Sequence, residues 1–264
     1  MTINSKVGKN KEQNELILKR RKKRRIKKYT LSIILLVSIV TTLCLKLPYF
    51  AIKDIEVTNN RNITSEEIKK LSQVQLGKNI FHLNLNKIKE SILTNSYILD
   101  ANVKRQFPDH IKIDVQERTA IFYVKQQDKY LIIDKDGVVL EEKATIDGMK
   151  LIKLEGFEKD PYKVGEAIKT KDERKLKVIN EITDLIARLN DGMPEPAIVN
   201  IDDLTNITFC YGDMLVKLGT SDNLEEKYNK ALNILTVNGL TNKKGYIDIS
   251  FNGEPVFAIK GSVN

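Results

Sequence analysis

From Tyr29 to Leu47 the chain reads YTLSIILLVSIVTTLCLKL, with no acidic residue and a single cation, Lys46, near its far end. At ~1.5 Å per residue these nineteen residues form a helix of ~28 Å, close to the thickness of a bilayer's hydrocarbon core. Lys46 is placed to snorkel to the interface, and Pro48 to end the helix. A cleaved signal peptide has a shorter apolar core and a small-residue exit, whereas this run ends in Lys46-Leu47-Pro48. A lipoprotein signal wants a small residue before its cysteine, but Leu43 precedes Cys44. A buried core helix is seldom flanked by so dense a cationic run as the one before Tyr29. The expectation is an uncleaved membrane anchor.

The net charge of +9 is concentrated on one side of that anchor. Met1 to Lys28 carries twelve Lys or Arg against Glu12 and Glu15, so everything after Lys28 sums to about −1. A basic run such as Lys19 to Lys28 also fits a nuclear-localisation or nucleic-acid arm. Next to a spanning segment it reads as a juxtamembrane anchor, with Lys22, Lys23, Arg24, Arg25, Lys27 and Lys28 touching anionic headgroups at ~1 kcal/mol each. No nucleic-acid partner is expected for the near-neutral remainder. The positive-inside rule then puts the N-terminus in the cytoplasm and Pro48 to Asn264 outside. The expected organisation is a tail over residues 1–28, a transmembrane helix over 29–47, two folded units over 48–118 and 119–260, and a C-terminal tail over 261–264.

The two cysteines cannot meet in one domain, because Cys44 lies in the span and Cys210 in an alternating strand. The exported part therefore relies on its own core rather than on disulfides.

The first exported unit opens with a short alternating strand, Asp54 to Val57. Thr64-Ser65-Glu66-Glu67 has capping-box spacing for a helix whose inward face includes Ile68 and Leu71. Gly77 suits a turn of positive φ, and Ile80, Phe81 and Leu83 read as core. Leu85, Ile88, Ile92 and Leu93 predict a second helix over Leu85–Asn95. Strands over Ile98–Arg105 and Ile111–Gln116 follow, joined by Phe107-Pro108-Asp109. The order is β-α-α-β-β.

Beyond Thr119 the pattern turns to short strands: Ile121–Lys125, Tyr130–Ile133, Val138–Glu141, Ile198–Ile201, Ile207–Tyr211 and Met214–Leu218. Asp134-x-Asp136-Gly137 has the start of a calcium loop, but Val138, Val139 and Leu140 fill the later ligand positions, so a hairpin turn is expected. Amphipathic helices are predicted over Asp172–Asn190 and about Leu224–Val237, the second capped by Asp222. Tyr246–Phe251 and Val256–Lys260, around Asn252-Gly253, complete a terminal hairpin with Ile247, Ile249 and Phe251 on one face.

Catalytic and metal signatures do not emerge. Neither His82 nor His110 has a Cys, His or carboxylate at ligand spacing, and no nucleophile elbow, P-loop, dinucleotide fingerprint or HExxH motif occurs. No cofactor and no metal are expected. A glycosidase carboxylate pair leaves no local signature, so that class stays open. The balance favours a binding or scaffold protein over an enzyme.

Several segments carry a resemblance to a known family. Gly77-Lys78-Asn79-Ile80-Phe81 resembles the G-x-N-I-F segment of the bacterial cell-division family FtsQ/DivIB, and Val103 to Arg118 resembles its V-x-R-x-[FW]-P-x-x-[IL]-x-I-x-V-x-E-R run. Asp134 to Val139 resembles its D-x-x-G-x-V hairpin, and the segment ending Leu154-Glu155-Gly156 resembles its L-P-x-L-x-G turn, with Lys150 where that family often has Pro. The resemblance implies an α+β protein with a single N-terminal transmembrane helix. A POTRA domain (β-α-α-β-β) follows, then a mixed, mainly antiparallel β domain with two helices. It implies a noncatalytic divisome component whose partners are FtsB/DivIC-like and FtsL-like bitopic proteins, with septal peptidoglycan synthesis proteins as further candidates. In that family the partner adds a strand at the edge formed by the last hairpin. Here that falls on Tyr246, Ile247, Asp248, Phe251, Gly253, Val256 and Phe257, with Pro255 removing one donor. Two alternatives stand beside this: the hairpin is paired within the domain and binds nothing, or the chain is an envelope chaperone or enzyme holding polypeptide on its POTRA module.

Overall fold

The computed structural model describes residues 3–190 and 192–260. The expected tail over 261–264, and Met1 and Thr2 of the basic tail, lie outside the described residues. Helix α1 runs over Ile3–Lys46, so the basic segment is helical as well as the apolar one, and Leu47 falls just past its end. Within it, Arg20–Lys46 is long and apolar enough to cross a membrane. Thr41 and Thr42 return their hydroxyls to the carbonyls of Val37 and Ser38, at 2.8 Å each, so these polar groups are satisfied inside the helix itself.

The first unit contains β1 (Asp54–Thr58), α2 (Ser65–Ser72), α3 (Leu85–Ile92), β2 (Ile98–Gln106) and β3 (His110–Glu117). Its three strands lie in the order β1-β3-β2, with β1 parallel and β2 antiparallel to β3. Only half of the expected capping box forms. Thr64 Oγ1 accepts from the Glu67 N–H (3.2 Å), but the Glu67 carboxylate is engaged by Asn95 Nδ2 instead of reaching back. Helix α3 stops at Ile92 rather than Asn95, because past the last i−4 bond, from Leu93 N–H to the Lys89 carbonyl, Thr94 and Asn95 bond only three residues back, to Ser91 and Ile92. Ile68, Ile80, Ile92, Ile111 and Ile113 are fully buried in one core.

The second unit is a nine-stranded sheet, with strands β4 (Phe122–Gln126), β5 (Lys129–Ile133), β6 (Val139–Lys143), β7 (Ile152–Glu155), β8 (Ile198–Asn200), β9 (Ile207–Tyr211), β10 (Met214–Gly219), β11 (Gly245–Asp248) and β12 (Val256–Ile259). Their spatial order is β12-β11-β10-β9-β8-β7-β4-β5-β6. Pairing is parallel at β10/β11, β7/β8 and β4/β7 and antiparallel elsewhere, which makes the sheet mixed and mainly antiparallel. Helices α4 (Arg174–Ala187) and α5 (Leu224–Val237) turn Ile179, Ile182, Tyr228, Ala231 and Leu235 into a core shared with these strands.

Three features of this unit differ from expectation. Strand β7 is absent from the predicted elements: the segment resembling a turn is a central strand joining the two halves of the sheet, and the turn begins only at Gly156. Asp222 does not cap α5. Asn223, at φ 53°, occupies the cap without a side-chain bond, and the Asp222 carboxylate accepts from the Thr220 hydroxyl. The terminal hairpin is shorter than expected, because β11 ends at Asp248 and Phe251 falls in the connecting loop.

The two units are joined by specific polar contacts. Arg118 Nη1 bonds Asp134 Oδ2 at 2.6 Å, and the other Asp134 oxygen accepts from the N–H groups of Asp136 and Val138 (2.9 Å each). Asp134 thus builds the turn before β6 and anchors it to the residue that follows β3. Gly137 in this turn has φ 74°, and a Cβ there would come within 2.5 Å of Leu176 Cδ2 on α4.

Candidate functional site: the free edge of the nine-stranded sheet

Strand β12 pairs antiparallel with β11 in the register Asp248↔Val256, Ile247↔Phe257, Tyr246↔Ala258 and Gly245↔Ile259. Lys260 N–H donates to the Lys244 carbonyl (2.8 Å), one step further along the same register. By the two-residue alternation of an antiparallel ladder, Val256 and Ala258 turn their backbone groups toward β11, and Phe257 and Ile259 turn theirs outward. Among the described residues nothing pairs with that outer side. Pro255 precedes it at another outward position, so the edge has one fewer donor there, as edge strands tolerate.

Every residue of β12 is exposed, and Val256 (48%), Phe257 (44%) and Ile259 (47%) are large and apolar. Phe257 and Ile259 share the face of buried Ile247. They lie on the outermost strand of the sheet, one step beyond Ile247, and are exposed there. Phe257 lines a groove of 460 Å³ with Lys230, Asn233 and Ile234 of α5 and the Gly253-Glu254-Pro255 loop. On the opposite face Lys217 Nζ lies 5.4 Å from the Tyr246 ring centroid and 3.6 Å from Asp248 Oδ2. Partial burial pushes the Asp248 carboxyl upward, but the Ser250 hydroxyl and N–H, together with Lys217, hold it below the usual carboxylate range.

The structure brings Tyr246, Asp248, Val256 and Phe257 together on this hairpin, but two of the expected residues differ in position. The Ile247 side chain is fully buried, so it supports the edge from inside. Phe251 is exposed on the loop, where its ring lies 3.2 Å from the position a Cβ would take on Gly253. Ile249 is also buried and donates its N–H to the Lys217 carbonyl (2.9 Å), so a proline there would damage the domain itself. Two residues of the site, Ile259 and Ile234, escape sequence reasoning. The Phe257/Ile259 alternation is a signal for the first, but only the tertiary approach of α5 reveals the second.

A larger concavity, 800 Å³, lies elsewhere, on the open sheet face of the first unit. Each of its carboxylates is already engaged. Asp100 pairs with Lys89 (2.6 Å), Asp114 accepts from Thr58 Oγ1 and Asn59 Nδ2, and Glu117 accepts from the N–H groups of Arg61, Asn62 and Ile63. Among the described residues no group of three His, Cys, Asp or Glu is placed to hold a metal. Cys44 and Cys210 are free, and burial pushes the Cys210 thiol up. Lys22, Lys23, Arg24, Arg25, Lys27 and Lys28 are exposed along α1.

The profile of the POTRA domain, FtsQ-type, matches residues 50–118, and that of the FtsQ/DivIB cell-division protein C-terminal region matches residues 122–250. The chain belongs to the FtsQ/DivIB family of cell-division proteins. It is 42% identical over 250 residues to the cell division protein DivIB of Clostridium botulinum strain Hall, covering 94% of this chain and 96% of that one. It is 42% identical over 258 residues to DivIB of Clostridium tetani, covering 96% of each. The DivIB of Bacillus subtilis is more distant, 28% identical over 148 residues that cover 56% of this chain and 54% of that one. The FtsQ/DivIB C-terminal profile ends before Phe251, so β12 lies beyond it and is characterised by its own geometry.

Proposed function

We propose that this FtsQ/DivIB-family chain is a non-enzymatic bitopic divisome scaffold required for septum formation. A strand of an FtsB/DivIC-like partner adds at the outer edge of β12, beside an FtsL-like protein, and septal peptidoglycan synthesis proteins are further partners. The observation that carries the reading is the pairing pattern of β12. Phe257 and Ile259 offer outward N–H and C=O groups on an uncovered strand whose side chains are apolar on both faces. Filling those groups makes about four main-chain hydrogen bonds at about 1 kcal/mol net each, and the Phe257 groove and the Tyr246/Lys217 face supply side-chain selectivity. Residues 48–118 and 119–260 act as the two outer units. Helix α1 spans the cell membrane with its N-terminus cytoplasmic, Lys22 to Lys28 lie on anionic headgroups, and the protein collects at the division septum.

The test is Phe257→Pro, which deletes an outward donor without touching the β11 side of the ladder. Affinity for the partner's outer segment should fall about 100-fold, the equivalent of about 3 kcal/mol, with unchanged circular dichroism. Unchanged affinity in a folded variant contradicts the edge site. Phe251→Asp is the side-chain counterpart, read by pull-down.

A further inference from the structure

The β12 edge leaves the segments Gly77–Phe81 and Val103–Arg118 unexplained, and residues of both converge on the end of α1. The Asn79 amide donates to the carbonyls of Cys44 (2.8 Å) and Leu45 (3.1 Å), two of the final acceptors that a helix leaves unpaired. Asn79 also forms a β-bridge with Ala51. Ile52 N–H donates to the Lys78 carbonyl (2.9 Å) and Gly77 N–H to the Ile52 carbonyl (2.8 Å). The chain leaving α1 is therefore bonded directly to the first folded unit, and this joint holds the unit against the helix end.

At the joint a row of aromatic rings begins. Tyr49 meets Phe50 at 5.2 Å between centroids, Phe50 meets Phe81 at 5.2 Å, and Phe81 meets Phe107 at 5.4 Å. Tyr49 is 61% exposed, Phe107 59% and Phe81 37%, and Leu47 and Leu76 nearby in sequence are exposed as well. Arg105 ties the Phe107 side of the row to the Phe81 side, donating to the carbonyls of Ile80 (2.9 Å) and Leu83 (2.6 Å). Outside α1, the large exposed aromatics of the described residues fall into two groups: Tyr246, Phe251 and Phe257 on the terminal hairpin, and Tyr49, Phe81 and Phe107 in this row.

Exposed rings with a phenolic hydroxyl among them suit the headgroup zone of a bilayer, where one side is apolar and the other wet. The row starts three residues past the last residue of α1, and the basic residues Lys46 and Lys78 flank the joint. We infer that Tyr49, Phe81 and Phe107 form a membrane-docking face that seats the first unit on the outer leaflet of the bilayer crossed by α1, a reading that rests on α1 being the anchor. The occupant is lipid because the joint holds the row at the membrane surface. Docking fixes the tilt of the first unit, and through Arg118 and Asp134 it also fixes where the β12 edge faces.

The chain contains no tryptophan, so a single introduced Trp reports its own surroundings. Full-length Phe107→Trp is placed in nanodiscs of phosphatidylcholine and phosphatidylglycerol, without bromine or with bromine near the top of the acyl chains, and position 36 is read in discs brominated deep in the chains. Tyr49→Trp serves as a second reporter, Leu36→Trp as the marker of the span and Tyr246→Trp as the marker of the distant hairpin. The expected result is blue-shifted emission at positions 107 and 49, with bromine quenching several-fold stronger than at position 246. Quenching at 107 and 49 no greater than at 246, while position 36 is quenched, overturns the docking face and leaves the anchor intact. No quenching at position 36 overturns the anchor reading, and the docking face falls with it.

Discussion

The two edges of the nine-stranded sheet are treated in opposite ways. At β6, Val139 donates its N–H to the Glu166 carbonyl (3.0 Å) and accepts from Gly165 N–H (2.8 Å), while the Leu140 carbonyl accepts from the Ser96 hydroxyl and the Glu141 carboxylate from the Tyr97 hydroxyl. A loop and the first unit together cover that side, and what remains of the strand is charged: Glu141, Glu142 and Lys143. At β12 the strand is apolar, exposed and unpaired on its outer side among the described residues. A bare apolar edge is a hazard that proteins ordinarily blunt with charge, bulges or cover. This chain applies cover and charge to one edge and neither to the other, and it is on this difference that the proposed partner strand rests.

The contrast can be broken most forcefully at the covered edge. Arg118→Ala removes one member of a largely buried ion pair and should destabilise the outer region by about 3 kcal/mol, with faster amide exchange at Leu140 and Glu141. Unchanged exchange there would show that the cover does not depend on this pair. Next in size is Gly245→Ala, whose Cβ would lie 2.1 Å from the Ala258 carbonyl oxygen and force β12 away from β11. A cost of about 2 kcal/mol and easier proteolysis around Val256–Ile259 are expected, with the β6 edge unaffected.

Glu117→Gln should cost about 1–2 kcal/mol, because its carboxylate holds the loop between β1 and α2 through three backbone N–H groups. Burial raises the Glu117 carboxyl, but those N–H bonds outweigh it and hold the group below its ordinary range. The stabilisation is therefore present above the unfolded-state carboxyl value and is lost as pH falls through the lower folded-state value. Acid titration of unfolding should show this loss in the native chain and not in the Gln variant. The smallest effect is expected from Val256→Lys, within about 0.5 kcal/mol of native stability, but with less self-association at high concentration by sedimentation.

Local patterns reveal much of this architecture. The stripe Leu224, Tyr228, Ala231 and Leu235 locates α5 to its observed ends, and strict alternation locates β3 to within a residue at each end. What stays hidden depends on distant partners. Strand β7 has only four residues, Ile152-Lys153-Leu154-Glu155, and is held by parallel pairing to β4 and β8, neither of which is its hairpin neighbour. The Arg118–Asp134 pair has no spacing signature, although both residues fall within segments that resemble the family. For the candidate site, the hairpin is legible in the sequence and its place at the sheet edge is not. Alternation marks Ile247 and Phe257 alike as apolar, but only the order of strands makes one a core residue of an inner strand and the other an exposed residue of the edge.

Strand addition at β12 is tested by amide hydrogen exchange on the full chain with and without the outer segment of an FtsB/DivIC-like partner. Added-strand binding predicts that the outward amides of Phe257 and Ile259 become strongly protected, while Val256 and Ala258, already bonded toward β11, change little. Saturating binding that leaves Phe257 and Ile259 exchanging as fast as in the free chain would contradict it.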